Sequence, residues 1–168
     1  AAGKGVVVPD SKEEFEKTVS EWKELPLLFE EKLSGEEASL FYWIHPTTSD
    51  FTVKFLGSAK DFKRRFDGDK GPNTGGMGAK SPHPTVTAEE LETFQADALN
   101  TARALKAKGI LYSGPLFMGY LRDATKGWCL LEYNARMGDP ETQALVLRMG
   151  DPETQALVLR WSNNQLLR

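Results

Sequence analysis

Histidine and cysteine are scarce in this 168-residue chain: His45 and His83 are the only imidazoles and Cys129 the only thiol. So small a stock argues against a zinc site or a Cys–His nucleophile pair. A lone cysteine forms no internal disulfide and suits a reducing cytosol, so a cytoplasmic location is expected. Excess positive charge is lacking too. Lys and Arg number 21 against 24 Asp and Glu, a net charge of −3, which removes the basic face that a nucleic-acid partner requires. No apolar run approaches the ~20 residues of a membrane span, and no signal segment opens the chain. Methionine is missing at the start, where Ala1 runs straight into AAGKGVVV. That stretch reads as the middle of a strand or phosphate loop, so a fragment of a longer protein is expected, with terminal processing the weaker alternative.

What is present is globular: hydrophobic residues make up 40% and charged residues 27%, enough for one ordinary domain or one lobe of a larger enzyme. Gly5 to Val8 is a β-branched run and reads as a strand. Ser11 and Glu14 then form an S-x-x-E capping box ahead of Phe15, Val19 and Trp22, which predicts a helix. Leu27 to Leu33, Glu36 to Ile44 and Phe51 to Leu56 read as three strands. Lys63 to Pro84 is rich in glycine and proline without apolar periodicity, which predicts a loop; His83 falls in it and His45 beside a strand end. The basic triplet Lys63-Arg64-Arg65 is balanced by Asp61, Asp67 and Asp69. A second capping box, Thr87 with Glu90, opens a helix toward Lys106 that stops at Gly109. Ile110 to Leu121 and Trp128 to Tyr133 are strand-like, and Pro140 fits the first turn of a last helix. Trp22, Trp43 and Trp128 fall on apolar faces and are expected in the core. The order of elements favours an α+β or mixed α/β fold.

Three segments carry chemistry. In AAGKGVVV, small residues around Lys4 let backbone approach a phosphate while the ammonium supplies charge, although a surface lysine in a glycine turn reads equally well. GPNTGGMG, residues 71–78, is expensive to order unless a ligand uses its amides, and its glycines can aim successive N–H groups at an anion. Asn73 and Thr74 add neutral hydrogen-bond partners, against which stands the reading as a flexible linker. In LEYNA, Glu132 and Asn134 lie two apart on a strand and share a face, with Tyr133 turned the opposite way into packing. A carboxylate and a carbonyl oxygen are hard ligands suited to Mg²⁺ held jointly with nucleotide phosphates. Spacing alone still favours a solvated strand face. Arg136 follows within reach of an oxyanion.

Taken in order, AAGKGVVV, EEKLSGEEASLF, SAKDFKRRFDGDKGPNTGGMGAKSP and LEYNARMGDPETQ resemble glycinamide ribonucleotide synthetase (phosphoribosylamine–glycine ligase), an ATP-grasp family of purine biosynthesis. The resemblance implies an ATP-grasp fold with a small lobe over residues 1–58 and a larger mixed-sheet lobe over 59–168. It implies ligation of glycine to 5-phosphoribosylamine through glycyl phosphate, with ATP and Mg²⁺, or Mn²⁺ in its place. Carried over residue by residue, Lys4 and Lys63 contact ATP. Glu30, Glu31 and Leu33 form the adenine-side hinge, with Glu37 toward the ribose. Glu132 and Asn134 hold the metal, and Arg136 stabilises developing charge. Asp69, Asn73, Thr74, Gly75, Gly76 and Asp139 face the phosphoribosylamine. The family's K-x-D-G-L stretch before AAGKG and its flanking N- and C-terminal domains are not in this sequence, and Phe62 stands where the family has His. Two alternatives remain open: an inactive or merely nucleotide-binding ATP-grasp fragment, and a ligase for another carboxylate and amine.

One oddity lies outside that pattern. MGDPETQALVLR occurs twice in succession, at 137–148 and 149–160. Two copies are too few for a repeat architecture, and LEYNAR occurs once, so the metal site is not doubled. The first copy is expected beside the Glu132 strand. The second is expected as an insertion, with Pro152 starting a separate short helix.

Overall fold

The computed structural model describes residues 6–23, 25–68 and 70–150, with the backbone alone at Asn73. Its centre is β1 (Gly35–Pro46), whose stretch from Ala38 to Tyr42 is buried without a break. Such a run has no polar side to turn to water, so the strand must be covered on both faces and both edges. β1 pairs antiparallel with β2 (Phe51–Asp61) on one edge and with β6 (Gly114–Asp123) on the other. β7 (Gly127–Asn134) and the two-residue β5 (Ala79–Lys80) complete the order β5-β2-β1-β6-β7.

Alternation then sorts the side chains. Leu40, Tyr42 and Ile44 join Leu116, Met118 and Tyr120 in a core against α2 (Ala88–Ala107), where Phe94, Ala98 and Ala102 are buried. Phe94 lies with its ring centroid 4.5 Å from that of Tyr120 and 5.6 Å from that of Trp128. On the opposite face Phe41 stacks on Phe117 at 4.7 Å and packs with Ala59, Met137, Leu145 and Val146. The last two belong to α3 (Glu141–Val146). Both expected capping residues cap: Ser11 opens α1 (Lys12–Glu21), and Thr87 with Glu90 forms a reciprocal box on α2. The Glu14 carboxylate accepts from Asp10 N at 2.9 Å, one residue upstream of the cap.

Several expectations are corrected. Val6 to Val8 and Leu27 to Leu33 join no ladder among the described residues, and Val6, Val8, Leu28 and Phe29 are exposed. β-branched composition makes a strand only where a partner edge exists. Ile110 and Leu111 are exposed and precede β6, because Ile110 N still bonds Leu105 O at the end of α2. The 63–84 segment is not wholly loop, since β3 (Arg64–Phe66) and β4 (Lys70–Asn73) pair within it. Trp22, Trp43 and Trp128 are half-buried. Trp128 donates its Nε1–H to Glu90 at 2.9 Å under the Arg122 guanidinium. Tyr133 does turn away from Glu132 and toward α2, but remains exposed with its hydroxyl 3.0 Å from Thr101 Oγ1.

The expected lobe boundary at 58/59 lies within β2. The first twelve-residue copy follows β7 directly and supplies α3, while the second lies outside the described residues from Asp151 onward, as does the expected helix at Pro152. No helix among the described residues is long and apolar enough to cross a membrane.

Phe94→Ala should therefore lower unfolding stability by about 3–5 kcal/mol, because its cavity opens between two aromatic neighbours and the sheet. Denaturant unfolding monitored by circular dichroism checks this, and a loss under about 1 kcal/mol would place the core elsewhere.

Candidate active site

The face of the sheet that carries α3 at one end carries carboxylates at the other. β1 contributes Glu37 and Ser39, and β2 contributes Ala59 and Asp61, with Ser39 opposite Ala59. β6 contributes Gly119 opposite Glu132 of β7, and Phe117 stands opposite Asn134. A side chain at 119 would put its Cβ 3.3 Å from Glu132 Cγ, so glycine leaves that carboxylate room. A register shift between Gly119 and Tyr120 leaves Leu131 as the extra residue of β7; bulges of this kind re-aim side chains near strand ends.

Glu132 and Asn134 thus share the face as their spacing predicts. Asn134 Nδ2 donates to Glu132 Oε1 at 3.0 Å, a bond that uses neither Asn134 Oδ1 nor Glu132 Oε2. These two oxygens suit a hard cation. Among the described residues no three His, Cys, Asp or Glu side chains converge on a metal position, so the pair fits Mg²⁺ only where phosphate oxygens supply further ligands.

Lys63 donates to Glu37 Oε2 at 2.5 Å. Burial pulls its ammonium down, but the Glu37 hydrogen bond and the charges of Glu37, Asp61 and Glu132 outweigh it and hold Lys63 above its ordinary value. Both side chains keep about 41% and 42% of their surface exposed, so the pair contributes less than about 1 kcal/mol to folding. Its position matters more, since it holds a cation close enough to Glu132 to feel its charge. Glu37 is itself fixed from behind. His83, between two prolines, is buried, contacts Glu37 O at 3.0 Å through Nε2 and accepts from Thr85 N at Nδ1. The ring is therefore the Nε2–H tautomer, and burial holds its pKa below the ordinary value.

The glycine loop runs beside this face. Phe62 N donates to Gly78 O, Met77 N to Phe62 O, and Thr74 N and Oγ1 both to Lys63 O. Gly76 N donates to Thr74 Oγ1. Of the four glycine amides expected to face an anion, Gly76 donates within the loop instead, as do the neighbouring Thr74 and Met77 amides. At Gly75 and Gly78 a Cβ would meet nothing within 4 Å, which keeps that stretch open.

The remaining expected residues are scattered around this centre. Glu31 pairs with Lys126 in the β6–β7 turn, Glu30 is exposed and Leu33 half-buried. Arg136 is exposed and donates to Met137 O at 2.9 Å. Asp139 is exposed and accepts from Gln143 at 3.0 Å. Lys4 and Asp69, and the side chain of Asn73, lie outside the described residues.

Three participants escaped the sequence reading. Besides His83, Glu141 is buried and accepts from Ser39 Oγ at 3.1 Å. Asp61, read as balancing a basic cluster, instead faces the site with Oδ1 buried and unpartnered. Burial, then the charges of Glu141 and Glu37, raise Asp61 to about 6 against the opposing pull of Lys63. Continuing the two-residue alternation past Leu56 to Gly57, Ala59 and Asp61 is the signal that finds it.

The central antiparallel sheet, with α2 on one face and α3 on the other, has the fold of an ATP-grasp domain. The chain belongs to the phosphoribosylglycinamide synthetase ATP-grasp (A) domain family, whose model matches residues 1–142. The crystal structure of phosphoribosylamine–glycine ligase from Thermotoga maritima superposes with a TM-score of 0.73 at 30% identity, covering 96% of this chain and 42% of that one. Among curated relatives, phosphoribosylamine–glycine ligase of Clostridium acetobutylicum is 41% identical over 155 residues, 87% of this chain and 36% of its own. A bifunctional purine biosynthetic protein of Schizosaccharomyces pombe is 42% identical over 158 residues, 19% of its length. Pyruvate carboxylase of Rhizobium etli, at 21% identity and a TM-score of 0.52 over 77% of this chain and 10% of that one, shares the fold. The chain thus spans about a third of the curated ligases it matches.

Because Asp61 binds its proton more tightly folded than unfolded, its contribution to stability is fully present below about pH 4 and is lost as pH rises through about 6. Asp61→Asn should therefore be more stable than the parent at pH 7.5, with the difference vanishing near pH 4. Thermal midpoints across that range check it, and equal midpoints at pH 7.5 would contradict the burial of this carboxylate.

Proposed function

We propose that the chain provides the nucleotide-binding lobe for ATP-dependent ligation of glycine to 5-phosphoribosylamine, yielding glycinamide ribonucleotide, ADP and phosphate in the cytoplasm. The observation that supports it is the shared sheet face bearing Glu132, Asn134 and the Lys63–Glu37 pair beside the glycine loop, in a chain of this family. In this reading a glycine carboxylate oxygen attacks the γ-phosphorus and ADP leaves, giving glycyl phosphate. The ribosylamine nitrogen then attacks the acyl carbon, the C–O bond to phosphate breaks, and the nitrogen loses a proton.

The residues act mainly by positioning and by charge neutralisation. Lys63 faces the phosphates and Glu37 fixes its ammonium. Glu132 and Asn134 hold Mg²⁺, or Mn²⁺, which when bound draws charge from the phosphate oxygens. Arg136 swings from Met137 O to the developing oxyanion. Glu30, Glu31 and Leu33 border the adenine, Lys4 reaches the phosphates, and the 69–78 loop with Asp139 borders the ribosylamine. Nucleotide binding without turnover is the second reading.

Titration with Mg–ATP should show weak binding, and Glu132→Ala should reduce Mg²⁺-dependent affinity by about tenfold or more. Unchanged affinity would remove the metal assignment. ADP release dependent on both glycine and phosphoribosylamine supports the ligase; binding without substrate-dependent release supports the second reading.

A further inference from the structure

β1 and β2 separate at the site end of the sheet. Their ladder closes with Ser39 opposite Ala59; beyond it Glu37 keeps a partner on β6, Leu121, while Lys60 and Asp61 pair with β5. Glu37 therefore has no partner on β2, and an imidazole fills the place. His83 Nε2–H donates to Glu37 O at 3.0 Å, while its own backbone N donates to Ser58 Oγ of β2 at 3.1 Å. The Ser81 hydroxyl donates to Ser58 O at 2.9 Å, and Thr85 Oγ1 to the Glu36 carboxylate at 2.7 Å. The 81–85 segment thus spans the split, held to β2 by Ser81 and the His83 backbone and to β1 by the ring and Thr85. What the ring steadies belongs to the site. Glu37 carries the Lys63 ammonium at 2.5 Å, and a strand end that drifts takes that cation with it. Displacements of about 1 Å are enough to impair a site built on positioning.

We propose that His83 is a positioning residue for nucleotide binding, fixing the Lys63–Glu37 pair by holding the Glu37 main chain where the two strands separate. The inference rests on the nucleotide-binding part of the proposed function, in which Lys63 faces the phosphates. His83 touches neither nucleotide nor metal in this account and acts through Glu37. The ring does so in its neutral form, because Nδ1 accepts from Thr85 N at 3.3 Å and a proton there would face that N–H. Its surroundings keep it neutral. Burial disfavours the cation, as do Lys60 of β2 and Arg122 of β6, while Glu36 of β1 favours it. Glu90 of α2 is engaged by Arg122 and Trp128. Nucleotide affinity therefore falls as pH drops below the ordinary imidazole range and the ring is forced to take a proton.

The test titrates the full chain with Mg²⁺ and a hydrolysis-resistant ATP analogue by calorimetry. It compares the parent with His83→Ala and with His83→Gln, whose amide nitrogen can take the place of Nε2 without titrating. At pH 7.5 the alanine variant should bind about fivefold or more weakly, and the glutamine variant within about twofold of the parent. In a Lys63→Ala background, where the pair is already lost, His83→Ala should cost less than about twofold, which a general loss of packing would not produce. Between pH 7.5 and pH 5 the parent should lose about threefold or more in affinity beyond any loss in His83→Gln, since protonation removes the bond from Thr85 N. Three results would overturn the proposal: an alanine variant within about twofold of the parent, an undiminished loss in the Lys63→Ala background, or the same pH profile for the parent and the glutamine variant. Each of these leaves nucleotide binding itself intact. A parent that fails to bind the Mg–nucleotide removes that reading, and this inference with it.

Discussion

Burial of β1 on both faces is the constraint from which the rest follows. From Ala38 to Tyr42 every residue is buried, so the strand is stable only between two hydrogen-bonded neighbours and beneath two layers. β2 and β6 supply the neighbours, α2 one layer and α3 the other. With period-two alternation fixed by that burial, a one-residue slip would drive Glu37 and Ser39 into the aromatic core. The register that hides Leu40 and Tyr42 is the same register that presents the site.

Stability and function are therefore divided along one strand. The α2 side is closely packed around Phe94 and Tyr120, where large losses on truncation are expected. The opposite side passes from the Phe41–Phe117 stack to Ser39–Glu141 and then to Glu37, Asp61 and Glu132. Polar groups there run from buried Ser39 and Glu141 through half-buried Glu37 and Asp61 to exposed Glu132, and carry mixed charge. His83 ties the two regimes together, its ring edge-on to Trp128 and its Nε2 on the Glu37 backbone.

How much of this is legible in the sequence depends on what each element relies on. The two helix starts are local chemistry, and Ser11 and Thr87 announce them. β1, β2 and β6 are legible because their hydrophobic patterns match their burial, and β7 by composition alone, since Leu130, Leu131 and Tyr133 are exposed. Val6 to Val8 has the composition of a strand without a partner edge among the described residues, and no local pattern reveals a missing neighbour. That Glu132 and Asn134 share a face is legible from spacing, and their metal role is an expectation from resemblance alone, whereas Asp61 is hidden by the charges around it in KDFKRR. Glu141 is hidden in a different way: its burial depends on Ser39, 102 residues earlier, and a contact of that range leaves no trace in the local sequence. Family membership supplies what pattern cannot, since the match over residues 1–142 ends inside the first twelve-residue copy.

The central claim is that one face of this sheet brings a nucleotide's phosphates and a divalent cation to Glu132 and Asn134. A crystal structure of the chain grown with Mn²⁺ and a hydrolysis-resistant ATP analogue tests it directly, because anomalous scattering locates the ion without assumption. The ion should lie within about 2.5 Å of a Glu132 carboxylate oxygen and of Asn134 Oδ1, with Lys63 turned toward the phosphates. An ion bound away from this pair, or a nucleotide seated on the α2 side of the sheet, would contradict it.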